Sequence, residues 1–172
     1  MYEVEAKVAV ASFADIRARL ASLGATSLGQ CVEKDVFFQH PHRDFRETDE
    51  ALRLRDRNGA LELTYKGPNE SATLKSRIEH NVLVTDDPTN LLSALGFKAA
   101  AEIEKDRESW QWGDVLVMLD ALACGRFVEV EAIGEDCGEA EVRVAEAMRI
   151  LGLEGPTIRE SYLRLLERHR AG

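Results

Sequence analysis

Residues 2–10 read Tyr-Glu-Val-Glu-Ala-Lys-Val-Ala-Val, a stretch in which charged and apolar side chains alternate. Alternation with a period of two is typical of a β-strand, because successive side chains of a strand point to opposite faces. The strand predicted here carries Glu3, Glu5 and Lys7 on one face and apolar residues on the other. Taken alone, such a strand is typical of a sheet with one face in solvent.

The same alternation recurs along the chain and predicts further strands. The eight predicted strands span residues 2–10, 32–39, 51–56, 61–66, 73–84, 99–110, 115–121 and 126–133. Four helices are predicted, from Ser12 to Gly24, from Asp87 to Gly96, and over residues 138–151 and 158–169. The predicted fold class is α+β, and eight strands are enough to close a sheet into a barrel.

The later strands also have one charged and one apolar face. The charged faces hold the basic residues Arg53, Arg55, Lys66, Arg77, Lys105 and Arg107 and the acidic residues Asp120, Glu129 and Glu131. For any single strand, cross-strand ion pairs on a solvated face are the better explanation. If helices cover the apolar faces and the sheet closes, however, the charged faces line the interior.

An interior lined with charges requires water, metal or a charged ligand, because unpaired buried charges cost several kcal/mol each. The set as a whole therefore predicts a closed, eight-stranded antiparallel β-barrel with helices packed outside and a tunnel that admits a polyanion. Basic side chains can neutralise a triphosphate, and the candidates are Lys7, Arg53, Arg55, Lys66, Arg77, Lys105 and Arg107. Carboxylates suit Mg²⁺ or Mn²⁺, and the candidate ligands are Glu3, Glu5, Asp120, Glu129 and Glu131.

These residues resemble the CYTH family, also called triphosphate tunnel metalloenzymes, whose mark is the Glu-x-Glu-x-Lys motif, here Glu3 to Lys7. The resemblance continues in order over nearly the whole chain, through residues 35–38, 48–55, 63–68, 105–108, 119–120, 125–131 and 161–162. The Thr-Asp-Glu-Ala-Leu-Arg segment from Thr48 and the Lys-Gly-Pro turn from Lys66 are most similar to the class IV adenylate cyclase branch. The resemblance implies one CYTH-like domain over residues 1–172, an eight-stranded tunnel, a divalent metal and a triphosphate substrate.

The predicted function is conversion of ATP to 3′,5′-cyclic AMP and pyrophosphate, with Glu3, Glu5 and Lys7 as the catalytic residues of the motif. Two alternatives remain open. The same lining serves hydrolysis of thiamine triphosphate or inorganic tripolyphosphate, and a module that binds nucleotide or polyphosphate without catalysis is the third hypothesis. Some charges are expected to pair with each other, namely Arg77 with Glu79 and Lys105 with Glu129 or Glu131.

His40 and His42 form a His-x-His pair that could ligate a metal, but no second cluster completes the site. Pro41, Arg43 and Asp44 around them favour an exposed loop instead. A loop over residues 40–50 is long enough to act as a lid at one mouth of the tunnel.

Composition limits the partners. The 172 residues carry a net charge of −9, which opposes general binding to nucleic acid or to an anionic membrane surface. We expect neither a secretory leader nor a membrane span, since the sequence shows no basic leader and no long apolar run. Three cysteines are too few and too far apart for a disulfide framework or a close-spaced metal site, so we expect a cytoplasmic protein. Family analogy leaves room for a homodimer.

Overall fold

A computed structural model describes residues 2–69, 75–153 and 155–171. The strands are β1 (Tyr2–Val10), β2 (Thr26–Gln39), β3 (Ala51–Arg57), β4 (Ala60–Lys66), β5 (Lys75–Val84), β6 (Lys98–Trp112), β7 (Val115–Leu122) and β8 (Gly125–Gly134). The helices of the described residues are α1 (Ala14–Ser22), α2 (Phe45–Thr48), α3 (Thr89–Ala94), α4 (Cys137–Ile150) and α5 (Tyr162–Ala171).

The eight strands form one closed barrel in the order β1-β5-β4-β3-β2-β6-β7-β8, and every neighbouring pair is antiparallel. In the long pair of β1 with β8, Glu5 lies opposite Glu131 and Lys7 lies opposite Glu129. The predicted closed antiparallel barrel is therefore confirmed. Its register brings the charged faces of neighbouring strands together.

Two apolar clusters explain why the charged faces point inward. Helices α1 and α4 cover the outer faces of β1, β7 and β8, where Val4, Val117, Val128 and Val130 are all fully buried. Helices α2 and α3 contribute to a second cluster, in which Phe45 and Leu92 pack with apolar residues of β2 and β3. Complete burial of such side chains contributes about 1.5–3 kcal/mol each. The apolar core thus lies between the barrel and its helices.

The alternation predicted that the second strand begins at residue 32, but β2 begins at Thr26. Its first half contains a register shift between Ser27 and Gly29, and Gly29 has a φ of +98°, which favours glycine. This irregularity interrupts the period of two, so the sequence pattern missed the start of the strand. Residues 73–74 of the predicted fifth strand lie outside the described residues.

Helix α2 was also missed, because it is a short turn inside the predicted loop 40–50. Asp44 caps it by accepting a hydrogen bond from Arg46 N at 2.9 Å. Helix α5 begins at Tyr162 rather than at residue 158. The preceding segment lies against β1, where Ile158 N donates to the backbone oxygen of Lys7 at 2.7 Å.

Among the described residues, no helix combines the length and the apolar character that a bilayer span requires.

Candidate active site in the barrel interior

The barrel encloses a cavity of about 660 Å³, and charged side chains from seven of the eight strands line it, all except β7. Every predicted site residue lines this cavity except Asp120, which is fully buried. The residues that line it are Glu3, Glu5, Lys7, Arg53, Arg55, Lys66, Arg77, Lys105, Arg107, Glu129 and Glu131. The volume lies within the usual range for small-molecule sites.

Arg55 is fixed by two carboxylates of β2. Its Nε and Nη2 donate to the two carboxylate oxygens of Asp35 at 2.6 and 2.7 Å, and its Nη1 lies 2.9 Å from Glu33 Oε2. Burial alone would raise the pKa of Glu33, but Arg107, Lys105 and Arg55 outweigh it and lower this pKa to about 2. Glu33 is therefore ionised at neutral pH and holds the guanidinium in place.

Arg107 is fixed in the same way by Asp120 and Glu129. It donates to both oxygens of Asp120 at 2.7 and 2.5 Å and to Glu129 Oε2 at 2.5 Å. Lys7 Nζ lies 3.3 Å from Glu129, and Lys105 Nζ lies 3.3 Å from Asp120. Burial opposes ionisation of Asp120, yet Arg107 and Lys105 lower its pKa. Since its oxygens are occupied, the geometry favours an anchoring role for Asp120 over the predicted metal role.

Lys105 is a perturbed lysine of the site. Burial and the neighbouring Arg107 lower its pKa to about 8, against the opposing effect of Asp120 and Glu129. Its Nζ also lies 3.3 Å from Glu33 Oε2. Because repulsion from Arg107 disfavours the charged ammonium, an anion bound beside it would favour protonation.

Lys66 joins two carboxylates on the opposite wall. Its Nζ donates to Glu3 at 2.5 and 2.8 Å and lies 2.5 Å from Glu79. Burial raises the pKa of Glu3 to about 8, with a hydrogen bond to Glu79 and the charges of Glu131 and Glu5 acting in the same direction against Lys66. The raised pKa favours a proton on Glu3 near neutral pH when no divalent metal is bound.

Arg53 and Arg77 differ from these anchored cations. Among the described residues, the buried Nε atoms of both have no hydrogen-bond partner. The nearest partners of Arg53 are Thr64 Oγ1 at 3.3 Å and Glu62 Oε1 at 3.9 Å. Burial and the neighbouring Arg55 lower the pKa of Arg53. A buried donor without a partner is costly, so these two side chains are suited to an incoming anion.

Three carboxylates crowd the wall beside them. Glu5 lies directly opposite Glu131, and Glu3 is two residues from Glu5 on the same face of β1. Burial raises the pKa of Glu131, and Glu5 raises it further, while Lys66 and Arg107 act against this. Like charges directly opposite each other destabilise a sheet, so this set fits a divalent cation by its chemistry. Among the described residues, however, no group of three or more acidic, histidine or cysteine side chains is already arranged around one metal position.

Comparison with known proteins agrees with this architecture. The family model described as CYTH domain matches residues 1–162. The chain belongs to the CYTH family. A Methanocaldococcus jannaschii protein named "Putative adenylate cyclase MJ0240" is 36% identical over 172 residues, which cover 96% of this chain and 98% of that protein.

Solved structures share this barrel fold. The PH1819 protein from Pyrococcus horikoshii has a TM-score of 0.85 at 34% identity, with 98% of this chain and 99% of that chain covered. A structure from Vibrio parahaemolyticus has a TM-score of 0.85 at 20% identity, with 97% and 98% covered. The second similarity shows the fold alone.

The alternation had not assigned three residues of the barrel to the site, namely Glu33, Asp35 and Tyr162. Asp35 anchors Arg55, and Tyr162 donates to Asp120. Glu33 and Asp35 alternate along β2 just as Glu3 and Glu5 do along β1, so the same rule could have found them. Tyr162 lies in the segment 161–162 that carries the family resemblance, but no alternation of charged and apolar residues assigned it to the site.

The ion pairs differ from those expected. Lys105 pairs with Glu33 and Asp120 rather than with Glu129 or Glu131, and Glu79 pairs with Lys66. Partners come from neighbouring strands of the closed barrel, which the order of the sequence does not reveal.

The histidine pair lies in the loop: the ring of His40 contacts Phe97 edge-on at 5.2 Å, and its Nδ1 accepts from His42 N at 3.1 Å.

Proposed function

We propose that this CYTH protein is a metal-dependent adenylate cyclase, which converts ATP to 3′,5′-cyclic AMP and pyrophosphate inside the barrel. The observation that carries the proposal is that buried arginines with unsatisfied donors lie close to a cluster of carboxylates. Arg53 and Arg77 have buried Nε atoms without a hydrogen-bond partner among the described residues, and Glu5 lies directly opposite Glu131 and beside Glu3, so that three acidic side chains stand close together. A triphosphate with a divalent metal satisfies both.

The triphosphate is proposed to lie against the basic side chains. Arg53 and Arg77 are on β3 and β5, on either side of β4, which carries Lys66. Arg77 lies directly opposite Glu3 in the register of β1 with β5. Phosphate oxygens held by the arginines would therefore be near the carboxylate wall, and guanidinium groups suit phosphate because they donate in pairs.

The proposed cofactor is Mg²⁺ or Mn²⁺, held by Glu3, Glu5 and Glu131. When bound, the cation would neutralise charge on the triphosphate and lower the pKa of the attacking hydroxyl. In the cyclase reaction the ribose 3′-oxygen forms a bond to the α-phosphorus, the bond from that phosphorus to pyrophosphate breaks, and one proton is released. The anchored Lys7, Lys105 and Arg107 would stabilise the negative charge, since fixed groups need no reorganisation during the reaction.

The name of the Methanocaldococcus jannaschii relative supports cyclisation as the first choice of reaction. Triphosphate hydrolysis is the second candidate, with thiamine triphosphate or inorganic tripolyphosphate as the substrate. The cations Lys7, Arg55, Lys105 and Arg107 suit the phosphates of these substrates as well as those of ATP, and hydrolysis requires no pocket for a purine base.

The proposed location is the cytoplasm, which suits three cysteines that form no disulfide, Cys31, Cys124 and Cys137. The proposed partner is a small triphosphate rather than nucleic acid or membrane. A homodimer stays a prediction.

Product analysis tests the proposal. The purified protein is incubated with Mg²⁺ or Mn²⁺ and, separately, with ATP, thiamine triphosphate and tripolyphosphate, and the products are separated by chromatography. Cyclic AMP with pyrophosphate is the expected result from ATP. Orthophosphate without a cyclic product would move the function to hydrolysis, and no turnover of any substrate would leave a binding module.

A further inference from the structure

Tyr162, the first residue of α5, reaches into the charged interior. Its hydroxyl donates to Asp120 Oδ2 at 2.8 Å. The same oxygen accepts from Arg107 Nη2 at 2.5 Å and from Lys105 Nζ at 3.3 Å. The phenol therefore takes part in the hydrogen-bond network that orients Arg107.

The ring of Tyr162 contacts two of the candidate phosphate ligands. Lys7 Nζ lies 4.1 Å from the ring centroid, and Lys105 Nζ lies 5.0 Å from it. Both distances are within the range in which the face of an aromatic ring attracts a cation. One side chain from the end of the sequence thus supports two ammonium groups from β1 and β6.

The segment before α5 holds Lys7 at two further points. Ile158 N donates to the backbone oxygen of Lys7 at 2.7 Å, and Lys7 Nζ donates to the backbone oxygen of Glu160 at 3.0 Å. Helix α5 is itself fixed across the mouth, because Arg164 Nη2 donates to the backbone oxygen of Arg46 at 3.0 Å. The position of Tyr162 is therefore defined by contacts on both sides of it.

We propose that Tyr162 is a positioning residue of the triphosphate site. Its ring holds the ammonium groups of Lys7 and Lys105 toward the phosphate chain, and its hydroxyl fixes Asp120 so that Arg107 keeps one orientation. The inference rests on the proposed function, since it assumes that the interior binds a triphosphate.

Calorimetry with inorganic tripolyphosphate compares the wild-type protein with Tyr162→Phe and Tyr162→Leu. Tyr162→Phe keeps the ring and loses only the hydrogen bond to Asp120, so we expect affinity to fall by about threefold. Tyr162→Leu removes it, and affinity should fall by about tenfold or more. Tyr65→Phe is the matched control, because it also removes a hydroxyl that donates to a carboxylate, that of Glu50, while its ring stacks with His80 on the outer side.

A second measurement reads the contact directly and does not depend on folding of the leucine variant. An aromatic ring this close shifts the NMR signals of the Lys7 ε-protons upfield, and the shift should persist in Tyr162→Phe. Lys7 signals at random-coil positions in the wild-type protein would contradict the contact. Wild-type affinity in a folded Tyr162→Leu protein would contradict only this inference, whereas no tripolyphosphate binding by the wild-type protein would overturn the proposed function with it.

Discussion

At the scale of single residues, the cations of the barrel fall into two groups, and the difference is testable. Arg107 is bound to Asp120 and Glu129, whereas the Nε of Arg53 has no partner among the described residues. Removing one partner of a buried ion pair costs about 3–5 kcal/mol, because the other charge is left uncompensated. Arg53 has only a long ion pair, at 3.9 Å from Glu62, so its removal should cost less.

The first prediction compares Arg53→Met with Arg107→Met. We expect Arg53→Met to keep its free energy of unfolding within about 1 kcal/mol of wild type while its tripolyphosphate affinity falls about 10- to 100-fold. Arg107→Met should lose about 3–5 kcal/mol of stability. Urea unfolding and calorimetry measure both quantities. Equal destabilisation of the two variants would contradict the division into anchored and available arginines.

The second prediction concerns the carboxylate wall. Glu5→Gln and Glu131→Gln each replace a charged ligand by a neutral amide of the same shape, so metal-dependent turnover should fall by at least about a hundredfold. Binding of tripolyphosphate without metal should remain. Glu104→Gln is the control, since Glu104 is exposed on the outer side in a 3.7 Å ion pair with Lys34. Full turnover in both site variants would remove the metal assignment.

The third prediction is a pH dependence set by Glu3. Burial raises its pKa from the ordinary 4.5 to about 8, so the folded protein binds this proton more tightly than the unfolded chain does. The resulting stability is complete below pH 4.5 and is lost as the pH rises through 8. In EDTA, Glu3→Gln should therefore match wild type near pH 5 but exceed it by several kcal/mol near pH 9, at about 1.4 kcal/mol per pKa unit.

Urea unfolding at the two pH values measures this difference. If the difference in stability between Glu3→Gln and wild type were the same at both pH values, the pKa of Glu3 would not be raised in the folded protein.

At the scale of elements, α4 supports the strands that carry the metal candidates. It packs on the outer faces of β1 and β8, with Ala140 and Val144 fully buried. Asp136 caps the helix by accepting from Glu139 N at 2.9 Å. An N-cap of this kind stabilises a helix by about 0.5–2 kcal/mol.

The fourth prediction is that Asp136→Ala lowers the free energy of unfolding by about 1 kcal/mol. The neighbouring Glu135→Ala serves as the control, because Glu135 does not cap the helix, and it should change stability by less than about 0.5 kcal/mol. Thermal and urea unfolding measure both variants. If Asp136→Ala were as stable as Glu135→Ala, the capping bond would contribute nothing.

The elements also show what a sequence pattern can and cannot predict. The regular strand β1 was predicted to the residue, because it alternates between a covered apolar face and a charged face. The start of β2 was missed because the irregularity at Gly29 breaks the period. The start of α5 was missed because residues before Tyr162 are held by Lys7, a contact distant in sequence.

At the scale of the whole molecule, the barrel inverts the usual arrangement, with its apolar faces outside under helices and its charged faces inside. Closure could be predicted because the candidate charged residues lie on one face of every predicted strand but the second. Which carboxylate anchors which cation could not be predicted, since Arg107 meets Glu129 across two strand boundaries. That choice depends on the register of the closed sheet. One domain over residues 1–172 stays a prediction.

The central claim is that the interior binds a triphosphate together with a divalent metal. Its most direct test is a crystal structure of the protein with a non-hydrolysable ATP analogue and Mn²⁺, with anomalous scattering used to locate the metal. We predict the phosphate chain in contact with Arg53 and Arg77, and a manganese peak at the carboxylates of Glu3, Glu5 or Glu131. An analogue bound outside the barrel, or manganese away from these carboxylates, would contradict the claim.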